Sequence, residues 1–308
     1  QWRLLPYLAF AFVQKYFTDK FHDIFYEYTI RLLGGEKSAE MFQLSREIHA
    51  LSCVTKPVAS WTTQKAVQEA REACGGNGYL KVNRLGILRD DNDPSCTYEG
   101  DNNVLLQQTA NYLLNLFTDV DNKWVSPIGT INFLGDFKTI MASRFVYDQS
   151  KHLSEMCLLA YDWLVCYLLS ECNARTKQLI ESGFNAFDAK NHSQIYLGHT
   201  LSIAFYERTL IHSFLKLIES ETTPTDLKPV LHKLCSLMSS WSLEKHLATL
   251  YIGGYCTGKD FGKILRDGIV TGCAAIKSDA ISLVDVLAPP DFVLNSPIGR
   301  ADGNVRSV

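Results

Sequence analysis

Residues 72–108 read EACGGNGYLKVNRLGILRDDNDPSCTYEGDNNVLLQQ, and helix-like periodicity stands on either side of them. Gly75, Gly76 and Gly78 end the first helical segment, since glycine takes up the left-handed turn at which helices commonly terminate. Pro94 bars helix ahead of the second segment. The run from Gly75 to Gly100 therefore reads as irregular. Asp101, Asn102 and Asn103 offer capping side chains for a helix from about Val104. Glu99 falls just outside that helix, beside Gly100. A carboxylate there meets the positive end of a helix dipole, and its neighbour has no side chain to block approach, which suits a catalytic base. The bland alternative is a glutamate favoured by a helix N-terminus and nothing more.

Upstream, Val13, Phe17, Phe21, Ile24 and Tyr28 share one helical face, and Gly34-Gly35 closes the segment. Ser38 caps a second helix from about Ala39 to Cys74, with Leu51, Val54, Val58 and Trp61 on its apolar face. Pro57 lies inside it and predicts either a kink or a junction of two helices. Downstream, a helix runs from about Val104 to Phe117, and residues 1–120 read as one antiparallel bundle. Residues 121–137, rich in polar residues with Pro127, Gly129 and Gly135, read as a linker. Residues 138–308 read as a second helical domain. Its stretch from Lys138 to Ser182 contains neither Gly nor Pro, and Ile203, Tyr206, Leu210, Phe214 and Leu217 mark one face, as do Val230, Leu234, Leu237 and Trp241. After Pro289 the composition turns to that of a surface-crossing or frayed tail. The expected class is all-α, in two consecutive helical bundles.

Composition removes several functions. The 308 residues contain 46% hydrophobic residues, ample for two cores, and a net charge of −3 leaves no electrostatic footprint for nucleic acid. Nine cysteines form no C-x-x-C pair and fit a reduced intracellular setting. The richest apolar run, Met156 to Leu169, is interrupted by Asp162 and too short to span a bilayer. Eight histidines show no metal spacing, so no metal is expected. GGNG could cradle a phosphate, but it matches neither the dinucleotide fingerprint nor the P-loop. Arg84 and Arg89 are expected to pair with Asp90, Asp91 or Asp93 at the surface, which contributes little. The chain opens at Gln1 in helical character without Met, which predicts that residues precede it.

ACGGNGY, a loop ending in LRD, and CTYEGDNNVLLQQTANYLL together resemble the acyl-CoA oxidase and acyl-CoA dehydrogenase superfamily. NRLGILRDDNDPSCTYEGDNN and the later VDVLAPPDFVLNSPIGRADG are most similar to the peroxisomal oxidases of the branched-chain, pristanoyl-CoA type. The resemblance implies that the chain is the pair of C-terminal helical domains of such an enzyme, without its upstream domains. On that footing the chain alone would not hold a full complement of FAD. It implies FAD as cofactor, a fatty acyl-CoA as substrate, O2 as oxidant, a homodimer, no membrane span and a peroxisomal location. Glu99 would remove the α-proton of the acyl-CoA, with its own N–H on the thioester oxygen. Tyr98 and Gly100 flank it on the substrate side. Loss of a β-hydride to FAD gives the trans-2-enoyl-CoA, and reoxidation by O2 gives H2O2. Asp101 and Asn103 match FAD-touching positions, Gly75 and Gly76 match a turn that approaches the neighbouring subunit's FAD, and Arg3 matches an arginine that reaches the partner's flavin.

Three departures stand out. Glu72 occupies a position where dehydrogenases often carry Gln. Asp101-Asn102 follow Glu-Gly as in oxidases, where dehydrogenases have Thr or Ser. The chain ends Arg306-Ser307-Val308 rather than in a Ser-Lys-Leu type signal. Two other readings compete: a dehydrogenase passing electrons to a carrier flavoprotein, and an inactive helical interaction module. The roughly two hundred residues after Glu99 count against the dehydrogenase.

Overall fold

The computed structural model describes residues 1–119 and 122–305; the C-terminal tripeptide and the junction of the expected bundle and linker lie outside the described residues. Among the described residues there are helices and turns and no strand. The first helix, α1 (Leu5–Leu33), opens with Pro6 in its first turn and closes on Gly34, whose N–H reaches the Ile30 carbonyl at 2.9 Å. Helix α2 (Ala39–Ala73) starts on Ser38, whose hydroxyl accepts from the Met41 N–H. Pro57 neither ends α2 nor splits it: one helix runs through.

The stretch expected to be irregular contains a helix after all. Between two tight turns and Pro94, α3 (Leu85–Asn92) lies against α2. Two features hid it. It has only eight residues, and it starts at Arg84, a non-glycine residue in the left-handed region at φ 63°, without any side-chain cap. Pro94 stands in a short 3-10 turn over Asp93–Cys96, and the α-helix stops ahead of it at Asn92, as expected. Arg89 pairs with Asp93 at 3.7 Å, as expected of a surface pair. Helix α4 then runs Asn102–Thr118, two residues earlier at its start than the sequence predicts.

The glycine- and proline-rich run after α4 is docked rather than free. Glu47 on α2 is fully buried, and its carboxylate accepts from the Ser126 hydroxyl at 2.6 Å, the Ile128 N–H at 2.9 Å, and the Thr130 N–H and hydroxyl at 3.0 and 2.5 Å. Ile131 and Leu134 bury beside it. Such a carboxylate, invisible as a pattern in sequence, replaces its lost hydration with four donors.

The stretch Lys138–Ser182, read as helical, holds two helices with a break between them. Helix α5 (Phe137–Ala142) is followed by a non-helical strap over residues 143–152, with a turn at 149–150, whose Phe145 N–H bonds the Tyr255 carbonyl at 2.8 Å. Helix α6 (Leu153–Glu181) begins at His152 and Glu155, which cap each other's backbone. The apolar run Met156–Leu169 is its core face, with Tyr161, Trp163, Leu164, Cys166 and Leu169 almost fully buried. By length and composition α6 could cross a membrane, but most of its apolar window is buried inside the protein.

The remaining helices are α7 (Ala186–Ser193), α8 (His199–Glu219), α9 (Lys228–Leu243), α10 (Leu247–Ile252), α11 (Asp260–Ile276), α12 (Ala280–Leu287) and α13 (Asp291–Leu294). Helix α8 is central: Leu201, Phe205, Tyr206, Leu210 and Phe214 are all at most 1% exposed. It packs on α6 and also on α4, α1 and α2, so one apolar core runs through residues of both expected bundles. Polar ties reinforce the seam. Ser202 donates to the Leu106 carbonyl at 2.7 Å, and the Tyr206 hydroxyl lies 2.8–3.0 Å from the Gln14 amide.

The tail crosses the surface as expected, but it is tied down. Ser296 donates to the Asn83 carbonyl at 2.9 Å, and the buried Asn83 amide in turn donates to the Asn77 carbonyl at 2.7 Å. The tail thereby braces the turn that follows α2.

Candidate active site

Tyr98, Glu99, Gly100, Asp101 and Asn103 form the approach to α4. Asp101 is the cap: its carboxylate accepts from the Asn103 and Val104 N–H groups at 2.9 and 3.4 Å. Asn102 does not cap. It is buried, and its amide donates to Ser60 on α2 at 2.9 Å. Asn103 stays exposed.

Glu99 is exposed and sits at φ 56°, followed by Gly100 at φ 107°. Left-handed backbone is unfavourable for a residue with a Cβ by about 1–2 kcal/mol, and such conformations persist only where surroundings enforce them. Here Lys56 on α2 donates to the Gly100 carbonyl at 2.6 Å and to the Asn102 Oδ1 at 3.0 Å, and its ammonium lies 5.9 Å from the centre of the Tyr98 ring. Among the described residues no hydrogen bond or ion pair engages the Glu99 carboxylate, so its oxygens are uncommitted. An exposed carboxylate in an enforced conformation, three residues ahead of a helix N-terminus, can accept a proton from a ligand laid over the turn.

Arg3, Gly75 and Gly76 gather elsewhere, at the far end of α2. Arg3 pairs with Glu69 and, at 2.9 Å, with Glu72, whose other oxygen accepts from Gln68 at 2.6 Å. The hydrogen bond that Arg3 donates to Glu69 holds the pKa of its guanidinium above the ordinary value. Glu72, the departure from the dehydrogenase pattern, is thus one of two carboxylate partners of Arg3. The three glycines of the turn differ. A Cβ on Gly78 would fall 1.8 Å from the Arg71 carbonyl oxygen, so the fold itself requires glycine there. A Cβ on Gly75 or Gly76 would meet nothing within 4 Å, and only Gly75 has positive φ, at 56°. Nothing among the described residues therefore explains glycine at 76. Its bare backbone suits the close approach of a large ligand, so the turn fits a cofactor such as FAD.

The two groups are well separated. Lys56 and Glu72 lie sixteen residues apart on one continuous helix, which at 1.5 Å per residue is about 24 Å. Lys56, Ser60 and the burial of Asn102 were not foreseen. The one signal was a lysine amid the apolar positions Leu51, Val54 and Val58. No cluster of three or more metal-ligating side chains occurs among the described residues.

Two family descriptions match the chain: "Acyl-CoA oxidase, C-alpha1 domain" over residues 1–114 and "Acyl-CoA oxidase" over residues 154–306. The peroxisomal acyl-coenzyme A oxidase 3 of Homo sapiens is 46% identical over 310 residues, covering 99% of this chain and 44% of that protein. The structure of acyl-CoA oxidase 1 from Arabidopsis thaliana superposes with a TM-score of 0.87 at 26% identity, over 99% of this chain and 45% of that one. Acyl-CoA oxidase-1 of Caenorhabditis elegans, solved with FAD and ATP, shares the fold with a TM-score of 0.85 at 23% identity, over 99% of this chain and 45% of that one. The chain thus spans about 44% of the length of the curated relative, in its C-terminal part. With both family descriptions falling in order on the same helices that the solved oxidases share, this chain belongs to the acyl-CoA oxidase family.

Proposed function

We propose that this chain supplies the catalytic base and a cofactor-facing turn of a peroxisomal FAD-dependent acyl-CoA oxidase, which converts an acyl-CoA to its trans-2-enoyl-CoA and reduces O2 to H2O2. The uncommitted Glu99 carboxylate, held in left-handed backbone ahead of α4, carries this reading. Glu99 takes the α-proton, and its backbone N–H faces the thioester oxygen, where negative charge develops as the proton leaves. Gly100, at φ 107°, lets the substrate lie close to the backbone. The exposed Tyr98 ring offers an apolar wall beside it. FAD, when bound, supplies the acceptor for the β-hydride and the route of two electrons to O2.

Asp101 and Asn103 are the residues proposed to meet FAD at the Glu99 end, and Arg3, Gly75 and Gly76 at the other. The 24 Å or so between these groups along α2 supports two different FAD molecules, one held with the partner subunit of a homodimer. Residues 1–120 and 138–308 are proposed as two helical domains joined by 121–137, fused by α8 into one packed unit. Substrates with a 2-methyl branch are the finer proposal, tested by comparing straight-chain and 2-methyl acyl-CoA turnover.

The test of the base is Glu99→Gln in the holoenzyme. It keeps shape and removes the proton acceptor, so FAD and acyl-CoA still bind while flavin bleaching on anaerobic mixing slows by about 10²–10⁴-fold. Bleaching at the wild-type rate would show that Glu99 is not the base.

A further inference from the structure

We infer that Lys56 is a positioning residue for proton abstraction, the group that fixes the Glu99 turn in its reactive conformation; this rests on the reading of Glu99 as base. One ammonium group spans the turn. It donates to the carbonyl of the residue after Glu99 at 2.6 Å and to the side chain of Asn102 at 3.0 Å, and it lies 5.9 Å from the ring of the residue before. Glu99 itself is left alone, between the points that Lys56 holds.

The anchor is rigid. Lys56 projects from the middle of α2, one residue ahead of the buried Pro57, and Asn102 continues the link back to the buried Ser60 on the same helix. Two contacts from one face of α2 therefore clamp both sides of the Gly100–Asp101 peptide. Bonds to a charged donor are short and strong, and the Gly100 carbonyl is the group whose direction sets the backbone that follows Glu99. Two successive residues outside the common backbone region, Glu99 and Gly100, give the turn an incentive to relax once this bond is gone. Relaxation would move the Glu99 carboxylate away from the α-carbon without touching the bulk of the substrate site. A misplacement of about 1 Å in a reacting group costs about 10²-fold in rate.

Three holoenzyme variants test this. Lys56→Met keeps the aliphatic stem and removes the donor, Lys56→Arg restores a charged donor, and Lys56→Gln offers a neutral one should the methionine variant fail to fold. The expected results for Lys56→Met, or for Lys56→Gln in its place, are flavin bleaching slowed about 10–100-fold and an acyl-CoA KM changed less than about 3-fold. Lys56→Arg recovers most of the rate. Amide hydrogen exchange across residues 98–103 rises in the slowed variant at unchanged FAD content, a readout independent of turnover. Lys56→Met, or Lys56→Gln in its place, bleaching at the wild-type rate while Glu99→Gln is slow overturns the positioning role and leaves the base assignment standing. Equal loss in the methionine and arginine variants also overturns it. Glu99→Gln at the wild-type rate overturns the base assignment, and this inference with it.

Discussion

Glu47 and Glu99 are both glutamates beside an irregular segment, and their surroundings give them opposite tasks. Glu47 is fully buried and accepts from four donors, so its charge is spent on holding residues 126–130 against α2. Glu99 is exposed, and among the described residues no hydrogen bond or ion pair engages its carboxylate, which leaves it open to the proton abstraction proposed for it. The glycines of the turn separate in the same way. Gly78→Ala drives a methyl group into the Arg71 carbonyl, which lies 1.8 Å from the Cβ position, and should cost about 1–3 kcal/mol or more. Gly76→Val meets open space and should shift stability by less than about 0.5 kcal/mol. In the holoenzyme the order reverses for the cofactor: the Gly76 variant should lose FAD while its helices persist. Denaturant midpoints and the flavin-to-protein absorbance ratio read both effects, and unchanged FAD content in Gly76→Val would remove the turn from the cofactor site.

Helices and the segments between them show how far apart in sequence the supports of a site can lie. The turn after α2 is braced by Asn83 from the next turn and by Ser296 from the tail, 213 residues further on. Little apolar surface secures that tail, since α13 buries no residue and Phe292 is 83% exposed. The Ser296 bond is therefore a large part of what pins it. Ser296→Ala removes one hydrogen bond of about 0.5–1.5 kcal/mol, so Tm should fall by no more than about 2–4 °C. Amide exchange from Asn77 to Asn83 should nonetheless rise clearly, because the loss is local. Exchange unchanged in that window would mean that the tail only rests on the turn.

Acid should weaken the assembled chain before carboxylates titrate. Burial, with the charges of Arg208 and Lys216 adding to it, pushes His212 down from 6.5 to about 4. Burial also pushes His199 and His232 down. Between about pH 6.5 and 4 the unfolded chain takes up a proton at His212 that the folded chain refuses. The folded state is thus fully favoured above 6.5 and loses ground as pH falls through that window, by about 1–3 kcal/mol for this residue. His212→Gln should flatten part of the slope of Tm against pH between 7 and 5. A slope identical to wild type would show that His212 carries none of it.

Much of this protein was legible in the order of its residues, because the information is local. Apolar residues at helical spacing, Ser38 and Asp101 as caps and Gly34-Gly35 as a stop determine helices through neighbours a turn away, and the ACGGNGY and CTYEGDNN runs point to the family. The short helix α3, the break of residues 143–152 and the single helix through Pro57 were decided by packing. Short segments have too few residues for propensity to prevail, and a long helix held along its length absorbs one missing N–H. The clamp of Lys56 on the Glu99 turn, the seat of Glu47 and the tie from Ser296 to Asn83 belong to tertiary structure alone. Each joins residues 44 to 213 positions apart, and hydrogen bonds of that separation leave no periodicity in the chain that makes them.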